Sequence, residues 1–198
     1  MREHSLADPL TLGLCAFVVA QTMLNLPNAH LIPAAATLAF MPAILVCGGL
    51  VYFLAGTFDF VRGNSFGLTV NGVFGGFFSS LFLFVYLQLN GVLKFGPDAN
   101  TALGVFLMVW TIVCIPFVFA AFRVSKVFGA LFFFVFFAFL GGSLANLTGM
   151  NSAFGGWSGL ISAAIGLYLV TENLMRSVAQ SHQSPAHETS PHSSVVAE

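Results

Sequence analysis

Four long stretches of the chain contain no Asp, Glu, Lys or Arg: residues 9–58, 63–93, 99–122 and 127–171. A helix needs about 20 apolar residues to cross the ~30 Å hydrocarbon core of a bilayer. The second and third stretches are therefore long enough for one membrane-spanning helix each. The first and the last are long enough for two, provided that each is interrupted near its middle.

Both of the longer stretches are interrupted by residues that favour turns. Residues 26–33, LPNAHLIP, contain two prolines and His30, and residues 146–156, NLTGMNSAFGG, are rich in Asn, Gly and Ser. The pattern therefore predicts six transmembrane helices, at roughly 10–26, 35–58, 66–90, 101–122, 126–146 and 154–173.

The composition supports a membrane-embedded fold. Of the 198 residues, 58% are hydrophobic and 7% are charged, whereas an ordinary soluble domain has about 25% charged residues. We therefore predict an all-α polytopic membrane protein whose six-helix bundle covers residues 10–175. Residues 1–9 form a short N-terminal segment. Residues 176–198 are rich in Ser, His and Pro, a composition that predicts a disordered tail.

The basic residues indicate the orientation of the bundle. An even number of helices places both termini on one side, and the positive-inside rule assigns the side richer in Lys and Arg to the cytoplasm. One side carries only Lys94, and the side of the termini carries Arg2, Arg62, Arg123, Lys126 and Arg176. We therefore expect a multi-pass protein of the plasma (inner) membrane with both termini cytoplasmic. The N-terminus lacks the layout of a cleaved signal peptide, so the first helix is expected to remain.

Several function classes are disfavoured by the same observations. A formal net charge of −1 argues against a nucleic-acid partner. The cysteines Cys15, Cys47 and Cys114 have no metal-ligand spacing, so neither a metal nor a cofactor is expected. Because the spans come from charge-free stretches, we expect no ionisable side chain within the membrane. Catalysis usually needs such a group or a metal, so the sequence argues against an enzyme.

The first helix carries uncharged polar residues at helical spacing. Steps of four, three, four and three residues place on one face Thr11, Cys15, Val18, Thr22 and Asn25. A neighbouring face contains Phe17 and Gln21. One interpretation is that these polar groups bond other helices or their own backbone, as they often do in membranes. The alternative, favoured by a whole polar face without charge, is a passage for a small solute.

Two motifs identify a resemblance. The first reads Asp8-Pro9-Leu10-Thr11-Leu12-Gly13-Leu14, and the second reads Gly63-Asn64-Ser65-Phe66-Gly67-Leu68-Thr69. The chain thereby resembles the acetate transporter family, which includes bacterial succinate–acetate permeases and fungal acetate and ammonium-export relatives. That family has N-P-A-P-L-G-L and G-N-T-F-G-L-T at these places. Asp8 thus replaces an asparagine, adding negative charge at the mouth, and Thr11 replaces a proline.

The resemblance also implies an assembly and a constriction. Members of the family are similar in forming homo-hexamers, with a six-helix pore in each protomer and a narrow hydrophobic constriction midway. Carried over by position, the constriction falls on Phe17, Phe74 and Val135. Close relatives have tyrosine and leucine at the second and third of these positions. We therefore expect a drier and slightly wider constriction here.

Polar residues along the expected pore are candidates for the substrate pathway. They are Thr11, Gln21, Thr22, Asn25, Asn64, Ser65, Thr69, Asn71 and Asn146. In the second motif, Asn64 or Ser65 is expected to cap the third helix, whose free N–H groups favour a carboxylate. Arg62 beside it is expected to face the membrane surface and to attract anions.

Together these observations predict a membrane channel or transporter for acetate and other small monocarboxylates, with succinate as a further substrate. Charge at the bilayer centre costs ~2.5–3.5 kcal/mol even on the lower scales. A coupled proton is therefore expected to travel on the substrate, as acetic acid, or on water. The alternatives are a channel for small neutral solutes such as ammonia or urea, and a membrane scaffold without transport. Both a channel and a proton symporter fit the sequence.

Overall fold

The structure, a computed structural model, describes residues 7–183, and within them it contains six long helices and no strand. Each helix is long and apolar enough to cross a bilayer. The helices are α1 Leu10–Asn28, α2 Ala34–Val61, α3 Ser65–Leu89, α4 Ala99–Val124, α5 Lys126–Thr148 and α6 Ala153–Gln183. The predicted all-α six-helix bundle is therefore confirmed.

Two helix ends differ from the sequence prediction by three residues or more. α2 continues to Val61, three residues past its predicted end, and α6 continues to Gln183. The first eight residues of the predicted tail, 176–183, are therefore helical. Residues 1–6 and 184–198 of the two predicted terminal segments lie outside the described residues.

α2 is the least regular of the helices. It begins with a 3-10 turn, and its α-helical parts are separated by a π-helical segment, Ile44–Val51. Pro42 precedes this segment, and proline lacks the N–H that a regular helix would use. Gly48 and Gly49 lie inside the π-helical segment. A Cβ atom would lie 2.5 Å from the Phe78 ring at Gly48 and 2.5 Å from Ser79 Oγ at Gly49. Glycine therefore allows α2 to approach α3 closely.

The helices are arranged so that neighbours in sequence are mostly neighbours in space. α2 packs against α1 and α3, α1 packs against α6, α6 against α5, and α5 against α4. Between α3 and α4 the contact is made by large aromatic side chains. The Phe77 and Trp110 rings lie 5.3 Å apart, and the Phe74 and Phe117 rings lie 5.4 Å apart, both edge-to-face. These aromatic pairs close the bundle around a central axis.

Two short turns on one side of the bundle are fixed by N-terminal caps. Asn64 Oδ1 accepts a hydrogen bond from the Gly67 amide (3.1 Å) at the start of α3. Ser125 Oγ accepts one from the Phe128 amide (3.0 Å) at the start of α5. Such caps satisfy amides that the helix itself leaves free. Of the two predicted capping residues for α3, Asn64 is the one that caps.

Candidate functional site

A cavity of about 740 Å³, here called the large cavity, lies inside the bundle and is lined by residues of all six helices. Its mouth lies on the side where α1, α3 and α5 begin. The charged residues that line it are Asp8, Asp59, Arg62, Glu172 and Arg176. Along α1, α3 and α5 its lining ends at Phe17, Phe74 and Val135, which are buried. The cavity is therefore charged at its mouth and apolar at its floor.

A second cavity of about 160 Å³, here called the small cavity, lies further along the same three helices. Its polar lining residues are Gln21, Asn25, Asn28, Thr37, Asn146 and Ser152. Its lining begins one helical turn beyond the floor of the large cavity, at Gln21 on α1, Phe77 on α3 and Ala138 on α5. One turn advances ~5.4 Å along a helix. The two cavities therefore follow one another along the axis and are separated by a thin partition.

The partition is built mainly from phenylalanine. The Phe74 ring lies 5.4 Å from Phe117, 5.5 Å from Phe132 and 6.3 Å from Phe139. Phe77 lies 4.7 Å from Phe139, edge-to-face. Rings at these separations pack favourably and offer no hydrogen bond to a solute. The partition is therefore apolar and consists of closely packed rings.

The structure brings the three constriction candidates together. Phe17, Phe74 and Val135 all line the floor of the large cavity, with 4%, 4% and 2% of their surfaces exposed. The positions carried over from the family resemblance therefore all line one cavity, each as the last lining residue along its helix. Their role as the narrowest part of a substrate path stays a prediction.

Five of the nine pathway candidates line one of the two cavities, and four line neither. Asn64 and Asn71 line the large cavity, and Gln21, Asn25 and Asn146 line the small one. The remaining four, outside the lining of both cavities, are Thr11, Thr22, Ser65 and Thr69.

The axial face of α1 differs from the face that the sequence indicates. It consists of Leu10, Gly13, Leu14, Phe17, Gln21, Leu24, Asn25 and Asn28. The rotation follows from packing. Gly13 abuts Asn71 on α3, and Gln21 Nε2 donates to Ser162 Oγ on α6 at 3.2 Å. The predicted face therefore shares only Asn25 with the cavity lining.

One ionisable side chain contradicts the expectation of uncharged spans. Asp59 lies in the last turns of α2, and only 1% of its surface is exposed. Its Oδ1 accepts a hydrogen bond from Asn64 Nδ2 (2.7 Å), and its Oδ2 accepts one from Asn71 Nδ2 (2.8 Å). Two neutral amides therefore hold the carboxylate, and no Lys or Arg within residues 7–183 pairs with it. We call these three residues the Asp59 cluster.

A second acidic residue also falls inside a predicted span. Glu172 lines the large cavity from α6 and forms an ion pair with Arg176, one turn further on. The expectation failed here because the predicted span, residues 154–173, extends two residues beyond the charge-free stretch that ends at residue 171. Both acidic residues face the large cavity.

Two glycines of the sequence motifs make room for the Asp59 cluster. A Cβ atom at Gly13 would lie 2.6 Å from Asn71 Oδ1, and one at Gly67 would lie 2.5 Å from Asn64 Nδ2 and would contact Asp59 Oδ2. Real Cβ atoms do not approach other atoms this closely, so a side chain at either position would displace the cluster. The motifs around residues 8–14 and 63–69 therefore meet at one structural point.

A salt bridge lies at the mouth of the large cavity. Arg62 Nη1 donates to Asp8 Oδ1 at 2.6 Å and thereby joins the start of α1 to the turn between α2 and α3. Exposed pairs of this kind contribute about 0.2–1 kcal/mol. Each partner offsets the other's charge. Neither the repulsion of anions expected at Asp8 nor the attraction expected at Arg62 acts alone.

The comparisons with known proteins agree with the fold. A model of the GPR1/FUN34/yaaH family matches residues 1–188. The succinate-acetate/proton symporter SatP of Escherichia coli K12 is 32% identical over 174 residues, which cover 85% of this chain and 89% of that protein. Ammonia transport outward protein 2 of Saccharomyces cerevisiae is 32% identical over 171 residues, which cover 83% of this chain and 60% of that protein.

A solved structure described as that of the bacterial acetate channel SatP superposes on the bundle with a TM-score of 0.81 and 26% identity. The superposition covers 88% of this chain and 95% of that one. With six helices apolar enough to span a bilayer and transport proteins as relatives, the chain is a multi-pass membrane protein.

Proposed function

The chain belongs to the GPR1/FUN34/yaaH family, and from this premise we propose that it is a membrane channel or transporter for acetate and other small monocarboxylates. One observation carries the proposal. Two cavities follow one another along the axis of a bundle that superposes on an acetate channel over 88% of this chain, and only a thin aromatic partition separates them. Transport proteins among the relatives also support a role other than that of an enzyme.

The proposed path begins at the large cavity. The substrate passes the salt bridge of Asp8 and Arg62, then the Asp59 cluster, and reaches the floor formed by Phe17, Phe74 and Val135. It continues into the small cavity past the amides of Gln21, Asn25 and Asn146. Because apolar constrictions can close a pore by excluding water, small movements of the partition would suffice to open the path.

We propose that the proton crosses the partition on the substrate. An anion would have to leave water and pass phenylalanine rings, and a charge at the bilayer centre costs ~2.5–3.5 kcal/mol or more. The lining of the partition offers no cation, and on one side of it Asp59 is the acidic lining residue that no arginine of the described residues pairs with. Neutral acetic acid avoids both penalties. Succinate would have to cross with both carboxyl groups neutral, so we expect it to be a poorer substrate.

We further propose a homo-hexamer in the plasma (inner) membrane, with a pore in each protomer and both termini in the cytoplasm. Five of the six basic residues lie on the side of the termini, which supports this orientation. On α4, apolar side chains such as Val109, Ile112 and Phe119 are exposed and available to lipid or to a neighbouring protomer. Loss of a C-terminal tag when right-side-out vesicles are treated with protease would contradict this orientation.

A second candidate is the passage of ammonia. It is favoured by the relative named for outward ammonia transport and by the uncharged amides of the small cavity. Ammonia is smaller than acetic acid and crosses apolar regions in its neutral form, so the same path fits both solutes.

The proposed function is tested with the purified protein in liposomes. Labelled acetate uptake and the internal alkalinisation caused by ammonia are measured with an inward proton gradient, and empty liposomes give the background. Acetate uptake above this background supports the leading proposal, and ammonia entry alone supports the second. A well-folded protein that carries neither solute contradicts both proposals.

A further inference from the structure

Tyr52 is a buried polar residue that the proposed path has not yet used. It lies at the start of the α-helical segment Tyr52–Val61 of α2, directly after the π-helical segment, and only 5% of its surface is exposed. Its ring stacks on Phe78 of α3, with ring centres 6.1 Å apart. The helices approach closely there, since a Cβ atom at Gly75 would lie 3.3 Å from Tyr52 Cβ. These contacts fix the position of the ring.

The hydroxyl group of Tyr52 has no partner among residues 7–183. It is not sealed inside the protein either, because every fully buried side-chain nitrogen or oxygen in the described residues has a hydrogen-bond partner. Tyr52 lines the large cavity. A buried tyrosine usually finds a partner for its hydroxyl. This hydroxyl therefore opens to the large cavity and is free to bind a solute there.

The position of Tyr52 along α2 places this hydroxyl deep in the cavity. Tyr52 lies seven residues before Asp59, which is about two helical turns further from the mouth. Its neighbours Gly75 and Phe78 on α3 follow Phe74, which lies at the floor. The other residues that line the floor are apolar: Phe17, Phe74, Leu131, Phe132 and Val135. Tyr52 thus supplies a polar group beside the partition.

We propose that the Tyr52 hydroxyl binds the carboxyl group of a neutral short-chain monocarboxylic acid at the floor of the large cavity. A phenol hydroxyl donates one hydrogen bond and accepts others. It can donate to the carbonyl oxygen of an acid molecule or accept from its O–H group. The short alkyl end then lies against the phenylalanine rings of the partition. The site is thus suited to a small amphipathic acid.

The charges around the cavity select the neutral acid over its anion. The charged residues of the cavity lining are Asp8, Asp59, Arg62, Glu172 and Arg176, and two further basic residues, Arg123 and Lys126, lie beside the lining residues Val124, Ser125 and Val127. Each of the two arginines of the lining is paired with an acidic residue, and Asp59 is bonded only to the neutral amides of Asn64 and Asn71. The lining itself therefore has three acidic residues and two basic ones, which disfavours an anion on its way to Tyr52 relative to the neutral acid.

This inference rests on the proposed function, and its test uses Tyr52→Phe in the full chain. The substitution keeps the stacked ring and breaks no hydrogen bond within the described residues, so the fold should be retained. The matched control is Tyr86→Phe, since Tyr86 is exposed, stacks on Phe82 and lies outside the lining of both cavities. Initial rates of acetate uptake into liposomes are measured over a range of acetate concentrations at external pH 5 and pH 6.5.

We expect Tyr52→Phe to raise the KM for acetate about three- to tenfold, the loss expected for one neutral hydrogen bond. Because the site binds the neutral acid, the KM of each protein, expressed as the concentration of acetic acid, should be the same at both pH values. Tyr86→Phe should match the parent protein. A KM for Tyr52→Phe equal to that of the parent overturns the inference, as does an equal loss in the control. Absence of acetate uptake in the parent itself would instead contradict the proposed function.

Discussion

Asn71 Nδ2 donates a hydrogen bond to Asp59 Oδ2 at 2.8 Å, and this contact joins α3 to α2 beside the large cavity. Both side chains are buried, with 5% and 1% of their surfaces exposed. Removing either partner leaves a buried polar group without its hydrogen bond, which costs more than the bond contributes when both are present. The Asp59 cluster therefore fixes the geometry of the cavity wall.

We expect the effects of Asp59→Ala and Asn71→Ala on stability to be coupled. Each single variant should lower the melting temperature in detergent, because each orphans its buried partner. The destabilisation of the double variant should be smaller than the sum of the two single effects, and the difference should be about 1–3 kcal/mol. The reason is that the second substitution removes the polar group that the first one left without a partner. Asp59→Ala combined with Ser143→Ala, at a distant hydrogen bond from α5 to α4, should be additive. Additivity in the Asp59 and Asn71 pair would contradict the contact.

Glycine positions on α1 and α3 give a second prediction. Gly13→Ala should lower the melting temperature by the equivalent of about 1–3 kcal/mol, because its Cβ would lie 2.6 Å from Asn71 Oδ1. Gly72→Ala is the matched control, since a Cβ there would meet no atom of the same chain within 4 Å. Alanine is the better helix former, so Gly72→Ala should be neutral or slightly stabilising. Equal melting temperatures for the two variants would show that Gly13 is not needed for close packing.

The partition gives a prediction on selectivity. Phe74→Ala removes the ring that contacts Phe117, Phe132 and Phe139, so the path should widen and admit larger carboxylates such as butyrate and benzoate. Uptake of these acids is measured relative to acetate in liposomes. The variant should also be less stable, by about 3–5 kcal/mol. Phe119→Ala, at a ring that is 71% exposed, should leave selectivity unchanged. A folded Phe74→Ala protein with the selectivity of the parent would place the path elsewhere.

The pH dependence of acetate uptake tests whether the proton crosses on the substrate or on a group of the protein. If the neutral acid crosses the partition, uptake should rise as the external pH falls toward the pKa of acetic acid. Histidine is the side chain whose unperturbed charge change falls near neutral pH, at ~6.5, and His30 is therefore the residue replaced in this test. His30 bonds Ser152 Oγ at 3.1 Å and lies outside the lining of both cavities. His30→Gln should therefore keep the pH profile. An inflection near pH 6.5 that vanishes in this variant would show a protein-borne proton.

The helices were predictable from the sequence because membrane spans require long charge-free stretches. This rule also explains the main failure. It ended the second helix at residue 58 because the next residue is charged, whereas the two amides of Asn64 and Asn71 allow Asp59 to be buried within α2. A lone acidic residue 5 residues before Asn64 and 12 residues before Asn71 was the signal that could have indicated the cluster.

The candidate site was predictable in part. The constriction residues came from the family resemblance, and the structure places them together. The spacing on α1 identified residues that share a helical face. It did not show which face of α1 points to the axis of the bundle, because that depends on partners such as Asn71 and Ser162 on other helices. Tyr52 gave no signal, since the role proposed for it depends on a hydroxyl that has no hydrogen-bond partner among residues 7–183.

The central claim is that acetate passes the floor of the large cavity, and reversible blocking of Val135 tests it most directly. Val135 is replaced by Cys in a chain whose native cysteines, none of which lines either cavity, are replaced by Ala. Labelled acetate uptake into liposomes is measured before treatment, after a small methanethiosulfonate reagent and after reduction, and Val109→Cys on the exposed face of α4 serves as the control. The account predicts that modification abolishes most uptake through Val135→Cys, that reduction restores it, and that Val109→Cys is unaffected. Full acetate uptake through a Val135→Cys protein shown by mass spectrometry to be modified would contradict the claim.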